Sequence, residues 1–198
     1  MELMGRKKQV GVFSGSFNPV HIGHLILANY MLEFTYLDEV WFVVTPHNPL
    51  KEVDSLLEDN IRLEMTGLAV KDFDRLRVSD VEFNMPRPSY TIETFTRLKA
   101  ENPGLEFTLL IGSDNWIKFP RWKDNERLAK EFKILIYPRL GGDVRINDTY
   151  AENVRLVDAP VVEISSTFIR ESIRAGKDMR AFLPNRVYDY ILFNKLYK

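Results

Sequence analysis

Cysteine is absent from the 198-residue chain. Its absence excludes disulfide bonds, thiolate-bound zinc, iron–sulfur clusters and cysteine nucleophiles together. Histidine is scarce as well, with three residues in the whole sequence. A zinc site built on His21 and His24 would need a third protein ligand, and the sequence has no HExxH pattern. We therefore predict no metal site formed by the protein itself.

The chain also lacks long apolar runs and an excess of either charge. No uninterrupted apolar stretch approaches the roughly 18–20 residues that a membrane span needs, and MELMGRKKQVGVF lacks the apolar core of a secretory signal. Its 27 Lys and Arg against 28 Asp and Glu give a formal net charge of −1. Nucleic-acid-binding proteins normally carry a basic face or a high pI. These observations predict a cytoplasmic protein without a membrane or nucleic-acid partner.

What the sequence does contain indicates a packed globular protein. Hydrophobic residues make up 45% of the chain and aromatic residues 12%, which suffices for one substantial core at this length. Domains usually span about 100–200 residues. We expect residues 1–198 to form one domain.

Short apolar runs alternate with helical patterns along the chain. Strands are predicted at Gln9–Phe13, Val40–Val44, Arg75–Val81, Phe107–Ile111, Lys133–Tyr137 and Arg155–Val157, and helices at Ile22–Phe34, Asn60–Val70, Thr91–Ala100, Thr167–Ala175 and Val187–Leu196. The strands are too apolar to leave one face in water, so the sheet should be parallel and covered on both sides. We predict a doubly wound α/β fold, with ligands beyond the carboxyl ends of the strands. The segments after the first, second and fourth strands are GSFNPVHIGH, TPHNPLK and GSDNW.

The segment after the first strand has the residues of a phosphate-binding turn. Gly15 permits a ligand to approach backbone N–H groups, and Pro19 stiffens the chain before the helix. The helix N-terminus offers unpaired N–H donors and a positive dipole end. His21 and His24 would face the same phosphate, with Gly23 leaving room for it. The plain alternative is a capped helix with two partly exposed histidines.

Two motifs together resemble signatures of the nucleotidyltransferase superfamily that carries the HxGH motif. GSFNPVHIGH is similar to that superfamily's GxFxPxHxGH pattern, and ISSTFIR (Ile164–Arg170) is similar to its ISSTxIR pattern at the start of a late helix. Apart from the resemblance, the residue types in ISSTFIR also suit the binding of phosphate. Ser165, Ser166 and Thr167 place hydroxyls and N–H groups at a helix N-terminus, and the fork of Arg170 suits phosphate oxygens. A single such motif could also be a helix cap followed by a surface arginine.

Further segments resemble the bacterial nicotinate-nucleotide adenylyltransferases. They are RPSYTIET (Arg87–Thr94), LLIGSDNW followed by PRW (Leu109–Trp116 and Pro120–Trp122), and LPNRVYDYI (Leu183–Ile191). The resemblance runs from roughly Val10 to Ile191 and implies a Rossmann-like nucleotidyltransferase fold, in which about residues 160–198 complete the ATP site. One departure follows the second strand: the family's usual Pro-Pro-His-Lys run is replaced by Pro46-His47-Asn48-Pro49-Leu50-Lys51.

The resemblance implies a reaction. ATP and nicotinate mononucleotide would give deamido-NAD and pyrophosphate, a step of NAD biosynthesis, with Mg²⁺ carried by ATP. The attacking phosphate oxygen is already ionised at neutral pH, so no general base is needed. The site should instead supply positioned cations and hydrogen-bond donors.

The resemblance also implies roles for individual residues. His21, His24 and Arg170 would be catalytic and would grip the ATP phosphates as cations and donors. Further ATP-binding residues would be Gly15, Ser16, Phe17, Gly112, Asp114, Ser166, Thr167 and Lys51. The mononucleotide would contact Tyr90, Thr91, Trp122 and Lys123. In that set Thr91 would meet the nicotinate carboxylate and Trp122 would stack on the pyridine ring.

Three alternatives stay open at this point. The first is an adenylyltransferase that prefers nicotinamide mononucleotide or accepts both mononucleotides. A carboxylate only accepts hydrogen bonds whereas an amide also donates them, so a pocket of N–H groups favours the acid. The second is a phosphopantetheine adenylyltransferase, which is usually shorter and lacks an RPSYT-like segment. The third is a non-catalytic nucleotide-binding module, against which the intact His21, His24 and Arg170 argue.

Overall fold

A computed structural model describes residues 6–46, 56–141, 144, 146, 150 and 152–198. Within these residues the strands are β1 (Lys8–Gly15), β2 (Glu39–Val44), β3 (Leu76–Ser79), β4 (Leu105–Gly112), β5 (Lys133–Tyr137) and β6 (Val154–Leu156). They form one six-stranded sheet in the order β3-β2-β1-β4-β5-β6. Every neighbouring pair is parallel.

Helices cover the sheet on both faces. In the described part of the chain they are α1 (Ile22–Phe34), α2 (Asp59–Val70), α3 (Thr91–Glu101), α4 (Ser113–Trp116), α5 (Asn125–Glu131), α6 (Ser166–Arg174) and α7 (Asn185–Phe193). Every predicted strand and helix is present, and the doubly wound fold is confirmed. The sequence did not predict α4 and α5, because helices this short show too little periodicity. No helix among the described residues has both the length and the apolar character needed to span a membrane.

Alternating side chains of the strands build two cores, one on each face of the sheet. Val10 and Val12 are buried on the face covered by α3 and α5. Phe13 and Phe42 are buried on the opposite face, with α1, α2 and α7. This two-sided burial explains why the strands read as near-continuous apolar runs in the sequence.

The strand order places the ends of β1 and β4 side by side at the centre of the sheet. From β1 the chain winds outward through β2 to β3, and then it returns to β4 on the other side of β1. Such a reversal leaves a crevice beyond the carboxyl ends of the two central strands, where open α/β sheets bind ligands. GSFNP and GSDNW, which follow β1 and β4, therefore border the same crevice.

The end of the chain is tied to the turn after β1. The hydroxyl of Tyr197 donates to Oδ1 of Asn18 at 2.7 Å, and the Tyr197 side chain is buried. Burial raises the pKa of the Tyr197 phenol, so its hydroxyl stays a donor at all ordinary pH values. The residues after α7 thereby help to hold the turn that borders the crevice.

We expect Tyr197→Phe to lower the free energy of unfolding by about 1 kcal/mol, because it removes one buried hydrogen bond while keeping the ring. Urea unfolding at pH 7.5 measures the change. Tyr30→Phe, on the outer part of α1, is the matched control and should stay within about 0.5 kcal/mol of the wild type. Equal stability of the Tyr197 variant and the wild type would contradict the assignment.

Candidate active site

The turn between β1 and α1 is shaped by a buried aromatic ring. Phe17 has a φ of 45°, and its ring packs against Phe13 and Phe42 in the core. A Cβ on Gly15 would lie 3.0 Å from the Phe17 ring. Gly15 therefore makes room for Phe17, and its predicted role of letting a ligand approach the backbone stays a prediction. Because the Phe17 side chain is buried, only its backbone is left to line a groove.

His21 and His24 form a stacked pair at the start of α1. Their ring centroids are 3.7 Å apart, with 26° between the planes. The backbone N–H of His21 donates to Nδ1 of His24 at 3.1 Å. Since Nδ1 of His24 accepts this bond, the neutral ring carries its proton on Nε2. A Cβ on Gly23 would lie 3.1 Å from the His21 ring, so this glycine makes room for histidine, and the room predicted for phosphate stays a prediction.

Both histidines are neutral in the free site. Burial, aided by the positive charge of Arg139, lowers the pKa of His21 from 6.5 to about 4. Burial, and then the charges of His21 and Arg139, hold the pKa of His24 well below its usual range. In the free protein this pair therefore carries little positive charge near pH 7, and its predicted role toward the ATP phosphates stays a prediction. The His21 side chain in turn faces the backbone N–H of His24, so the two histidines form a capping box at the start of α1.

The two signature motifs lie against each other. The hydroxyl of Ser166 donates to the carbonyl of Pro19 at 2.9 Å. Nη1 of Arg170 donates to the carbonyl of Asn18 at 2.9 Å, and Nη2 donates to Oγ1 of Thr167 at 3.3 Å. The start of α6 is thus fixed beside the start of α1. The Ser166 hydroxyl donates its proton to Pro19 in the free protein, and the predicted contact of Ser166 with phosphate, through hydroxyl or N–H, stays a prediction.

Ser165 caps α6. Its Oγ accepts from the backbone N–H of Phe168 at 3.1 Å. Such a bond satisfies one of the unpaired donors at a helix N-terminus. The remaining N–H groups of the first turn, next to exposed Thr167, form an end of positive potential.

The end of β4 brings Gly112, Ser113 and Asp114 to the same crevice. A Cβ on Gly112 would collide with the Asp114 carboxylate and lie 3.2 Å from the Tyr137 ring. Ser113 is fully buried, and its Oγ accepts from the backbone N–H of Arg139 at 2.9 Å. Asp114 is exposed at the edge. This arrangement fits a carboxylate that accepts from the hydroxyls of a sugar.

A cavity of about 520 Å³ opens beside these elements and includes Tyr90, Thr91 and Trp122 in its lining. Thr91 is the first residue of α3, so the N-terminus of that helix faces the cavity. Phe13 also lines the cavity, and its ring packs edge-on against His24 with centroids 5.8 Å apart. One aromatic ring therefore separates the cavity from the histidine pair.

Lys123 is the other residue predicted to contact the mononucleotide. Its side chain lies beside the cavity and contacts Glu93 and Tyr90. Its Nζ donates to Oε1 of Glu93 at 2.6 Å and lies 4.3 Å from the centroid of the Tyr90 ring. The side chain of Lys123 thus supports Tyr90 from outside. Lys51, predicted for the phosphates, and His47 lie outside the described residues.

The sequence analysis missed Glu82, whose side chain lines the cavity and is buried. Its two carboxylate oxygens accept from the hydroxyls of Ser89 and Thr94, each at 2.8 Å. Burial raises the pKa of Glu82, and the two hydroxyl bonds oppose that rise. Glu82 holds the segment that leads into α3. No signal in the sequence marks it, since it precedes the RPSYT segment without a pattern of its own.

Cations near the site were also missed. Arg139 follows β5 and lies close enough to the histidines to lower both pKa values. Arg87 lines the cavity and pairs with Asp59 at 3.0 Å. Arg87 stands within the quoted RPSYT segment, which could have drawn attention to it. Within the described ranges no group of three or more His, Asp or Glu side chains could hold a metal ion.

Buried neutral histidines make stability depend on pH. Between pH 6.5 and about 4 the unfolded chain binds a proton at His21 that the folded protein does not bind, so stability falls as the pH is lowered through this range. Between pH 7 and pH 5 the unfolding free energy of the wild type should fall by about 2 kcal/mol more than that of His21→Gln, because the variant lacks this proton-binding group. Urea unfolding at both pH values measures it. An identical loss in the two proteins would refute the account of His21.

Comparison with known proteins identifies the family. The cytidylyltransferase-like family matches residues 12–172. A protein of Bacteroides fragilis named "Probable nicotinate-nucleotide adenylyltransferase" is 56% identical, over 94% of this chain and 92% of its own. A protein of the same name from Flavobacterium johnsoniae is 44% identical, over 96% of this chain and 99% of its own.

A solved structure supports the fold. The Plasmodium falciparum nicotinic acid mononucleotide adenylyltransferase complexed with NaAD superposes with a TM-score of 0.77, covering 96% of this chain and 97% of its own at 21% identity. At this identity the likeness concerns the fold alone. The sequence relatives show more: the chain belongs to the nicotinate-nucleotide adenylyltransferase family of the cytidylyltransferase-like proteins.

Proposed function

We propose that the protein transfers the adenylyl group of ATP to nicotinate mononucleotide, giving deamido-NAD and pyrophosphate. The observation that carries this proposal is the contact between the two signature motifs, through Ser166 to Pro19 and Arg170 to Asn18. These bonds bring the starts of α1 and α6 together, and Phe13, whose ring contacts His24 on α1, lines the 520 Å³ cavity. The names of the sequence relatives support the choice of substrates.

ATP would bind across the starts of α1 and α6. His24 presents its Nε2–H, Arg170 its guanidinium and α6 its N-terminal N–H groups, all of which suit phosphate oxygens. Asp114 at the end of β4 would accept from the ribose hydroxyls. The metal is substrate-borne in this proposal, because Mg²⁺ enters with ATP.

Nicotinate mononucleotide would occupy the cavity. Trp122 would stack on the pyridine ring, and the first N–H groups of α3, beginning at Thr91, would face the nicotinate carboxylate. The positive end of a helix favours a carboxylate over a neutral amide. A pocket that presents donors at this point therefore favours the acid.

The reaction needs alignment and charge compensation, not a base. An ionised oxygen of the mononucleotide phosphate attacks the α-phosphorus of ATP, that new P–O bond forms, and the bond to the bridging oxygen of pyrophosphate breaks. Two like unit charges about 4 Å apart repel by roughly 4 kcal/mol even at an effective dielectric of 20. Arg170 and Arg139 would offset this repulsion. The Nε2–H of His24, held in place before substrate binds, would stabilise charge on the leaving pyrophosphate.

The proposal is tested by measuring pyrophosphate release from MgATP with nicotinate mononucleotide and with nicotinamide mononucleotide side by side. We expect kcat/KM to favour the acid at least about tenfold, the size of one differential hydrogen-bond contact of about 1.4 kcal/mol. Comparable values would make the enzyme dual-specific and contradict the donor pocket. No release with either mononucleotide would reject the proposed reaction.

We expect His24→Ala to lower kcat about 100-fold, because it removes a donor that acts on developing charge. The KM for nicotinate mononucleotide should change far less, since this residue does not line the cavity. Steady-state kinetics with each substrate varied in turn measure both values. Asn29→Ala, exposed on the same helix, is the control. A large rise in KM for the mononucleotide with kcat unchanged would contradict the assigned role.

A further inference from the structure

One buried guanidinium touches both halves of the candidate site. Arg62 on α2 has none of its surface exposed. Its Nη1 donates to the carbonyls of Ser16, at 2.5 Å, and Thr45, at 2.9 Å. Its Nε donates to the carbonyl of Leu57 at 3.0 Å, and its Nη2 pairs with Oδ1 of Asp59 at 2.5 Å.

The carbonyls that Arg62 holds belong to two different compartments. Ser16 is in the turn after β1, beside the residues proposed to bind ATP. Thr45 follows β2 and lines the cavity proposed for the mononucleotide. The backbone N–H of Thr45 already donates to the carbonyl of Gly15 at 2.9 Å. Because the guanidinium is a rigid planar fork, its hydrogen bonds extend this connection to Ser16 and further fix the two segments relative to each other.

A second connection leads from Arg62 to the cavity. The other oxygen of Asp59, Oδ2, accepts from Arg87 at 3.0 Å, and Arg87 lines the cavity. Asp59 therefore balances the buried charge of Arg62 and also anchors a cation at the cavity wall. A buried charge is retained only at a cost in desolvation, which its partner and hydrogen bonds must offset.

We infer that Arg62 is a positioning residue that aligns the two substrates for in-line attack, by fixing the turn after β1 relative to the mononucleotide cavity. The inference rests on the proposed function, and Arg62 touches neither substrate. Because Arg62 contacts neither substrate, its substitution should leave the contacts of each substrate in place and disturb the position of one substrate relative to the other. A misplacement of about 1 Å can lower a rate about 100-fold. The effect should therefore fall on kcat and leave both KM values nearly unchanged.

The first test is Arg62→Lys, which keeps the charge but replaces the planar fork by a single ammonium. We expect this variant to have a kcat about 10- to 100-fold below that of the wild type. Its KM values for ATP and for nicotinate mononucleotide should stay within about threefold of the wild-type values. Thr66→Val is the matched control. Thr66 is equally buried one turn further along α2, and its hydroxyl donates to the Arg62 carbonyl at 2.7 Å. This control should lower the melting temperature and leave kcat unchanged.

Asp59→Asn provides a second test should the lysine variant not fold. Its side chain is 19% exposed, and asparagine keeps the size and one acceptor while weakening the ion pair. We expect the kcat of Asp59→Asn to be about 3- to 10-fold lower than that of the wild type, because one charged hydrogen-bond partner of Arg62 is lost. A folded variant with wild-type kcat and a lowered melting temperature would overturn the inference, as would a rise in KM alone.

The wild-type activity separates this inference from the proposed function. A wild type inactive with both pyridine mononucleotides would reject the proposed function, whereas an active wild type with unaltered variants rejects only the inference.

Discussion

The hydrogen bonds to the carbonyls of Ser16, Asn18 and Pro19 are what the rest of the site depends on. A buried carbonyl without a partner costs about 1–3 kcal/mol, and a tight turn cannot pair its own carbonyls as a helix or sheet does. Distant side chains supply the donors: Arg62 from α2, and Ser166 and Arg170 from α6. Side chains from α2 and α6 therefore help to fix the turn after β1.

This dependence gives the second signature motif a structural part as well as a chemical one. Arg170 holds the turn through one nitrogen and is proposed to bind phosphate beside it. The hydroxyl of Ser166 hydrogen-bonds to the turn and has a structural part. The two motifs, far apart in sequence, thus form one surface, which we propose binds ATP.

Holding the turn also decides the chemical state of the histidines. With its backbone N–H directed at Nδ1 of His24, His21 fixes the neutral ring of its neighbour in one tautomer. Two charged rings could not remain stacked at 3.7 Å while largely buried, because like charges repel strongly where water is excluded. In the proposed reaction the site would therefore meet the phosphates of ATP with oriented neutral donors, and its positive charge would come from arginines. Donors that are fixed beforehand need no rearrangement as charge develops.

Much of this arrangement could be predicted from the sequence. Apolar runs and helical spacing located the longer elements, and α1 begins and ends where the pattern places it. Both motif positions were found, and Tyr90, Thr91 and Trp122 do line one cavity. Glycine was harder to interpret. A glycine signals that something comes close, but the sequence does not say what, and the neighbours of Gly15 and Gly23 are the rings of Phe17 and His21.

Residues that act through tertiary contacts escaped prediction. Arg62 stands on a helix where an arginine normally faces water, and only the folded chain shows three carbonyls converging on it. Glu82 looks like an ordinary loop carboxylate until Ser89 and Thr94 are seen to close around it. Such roles arise from segments meeting in space, for which local periodicity carries no signal.

Nitrogen-15 NMR of the His24 ring tests the central claim most directly, because it reports protonation and tautomer together. The account predicts a neutral ring with its proton on Nε2 at pH 7, and no titration of His24 near its ordinary pKa of 6.5. A doubly protonated ring at pH 7, or a neutral ring protonated on Nδ1, would contradict it.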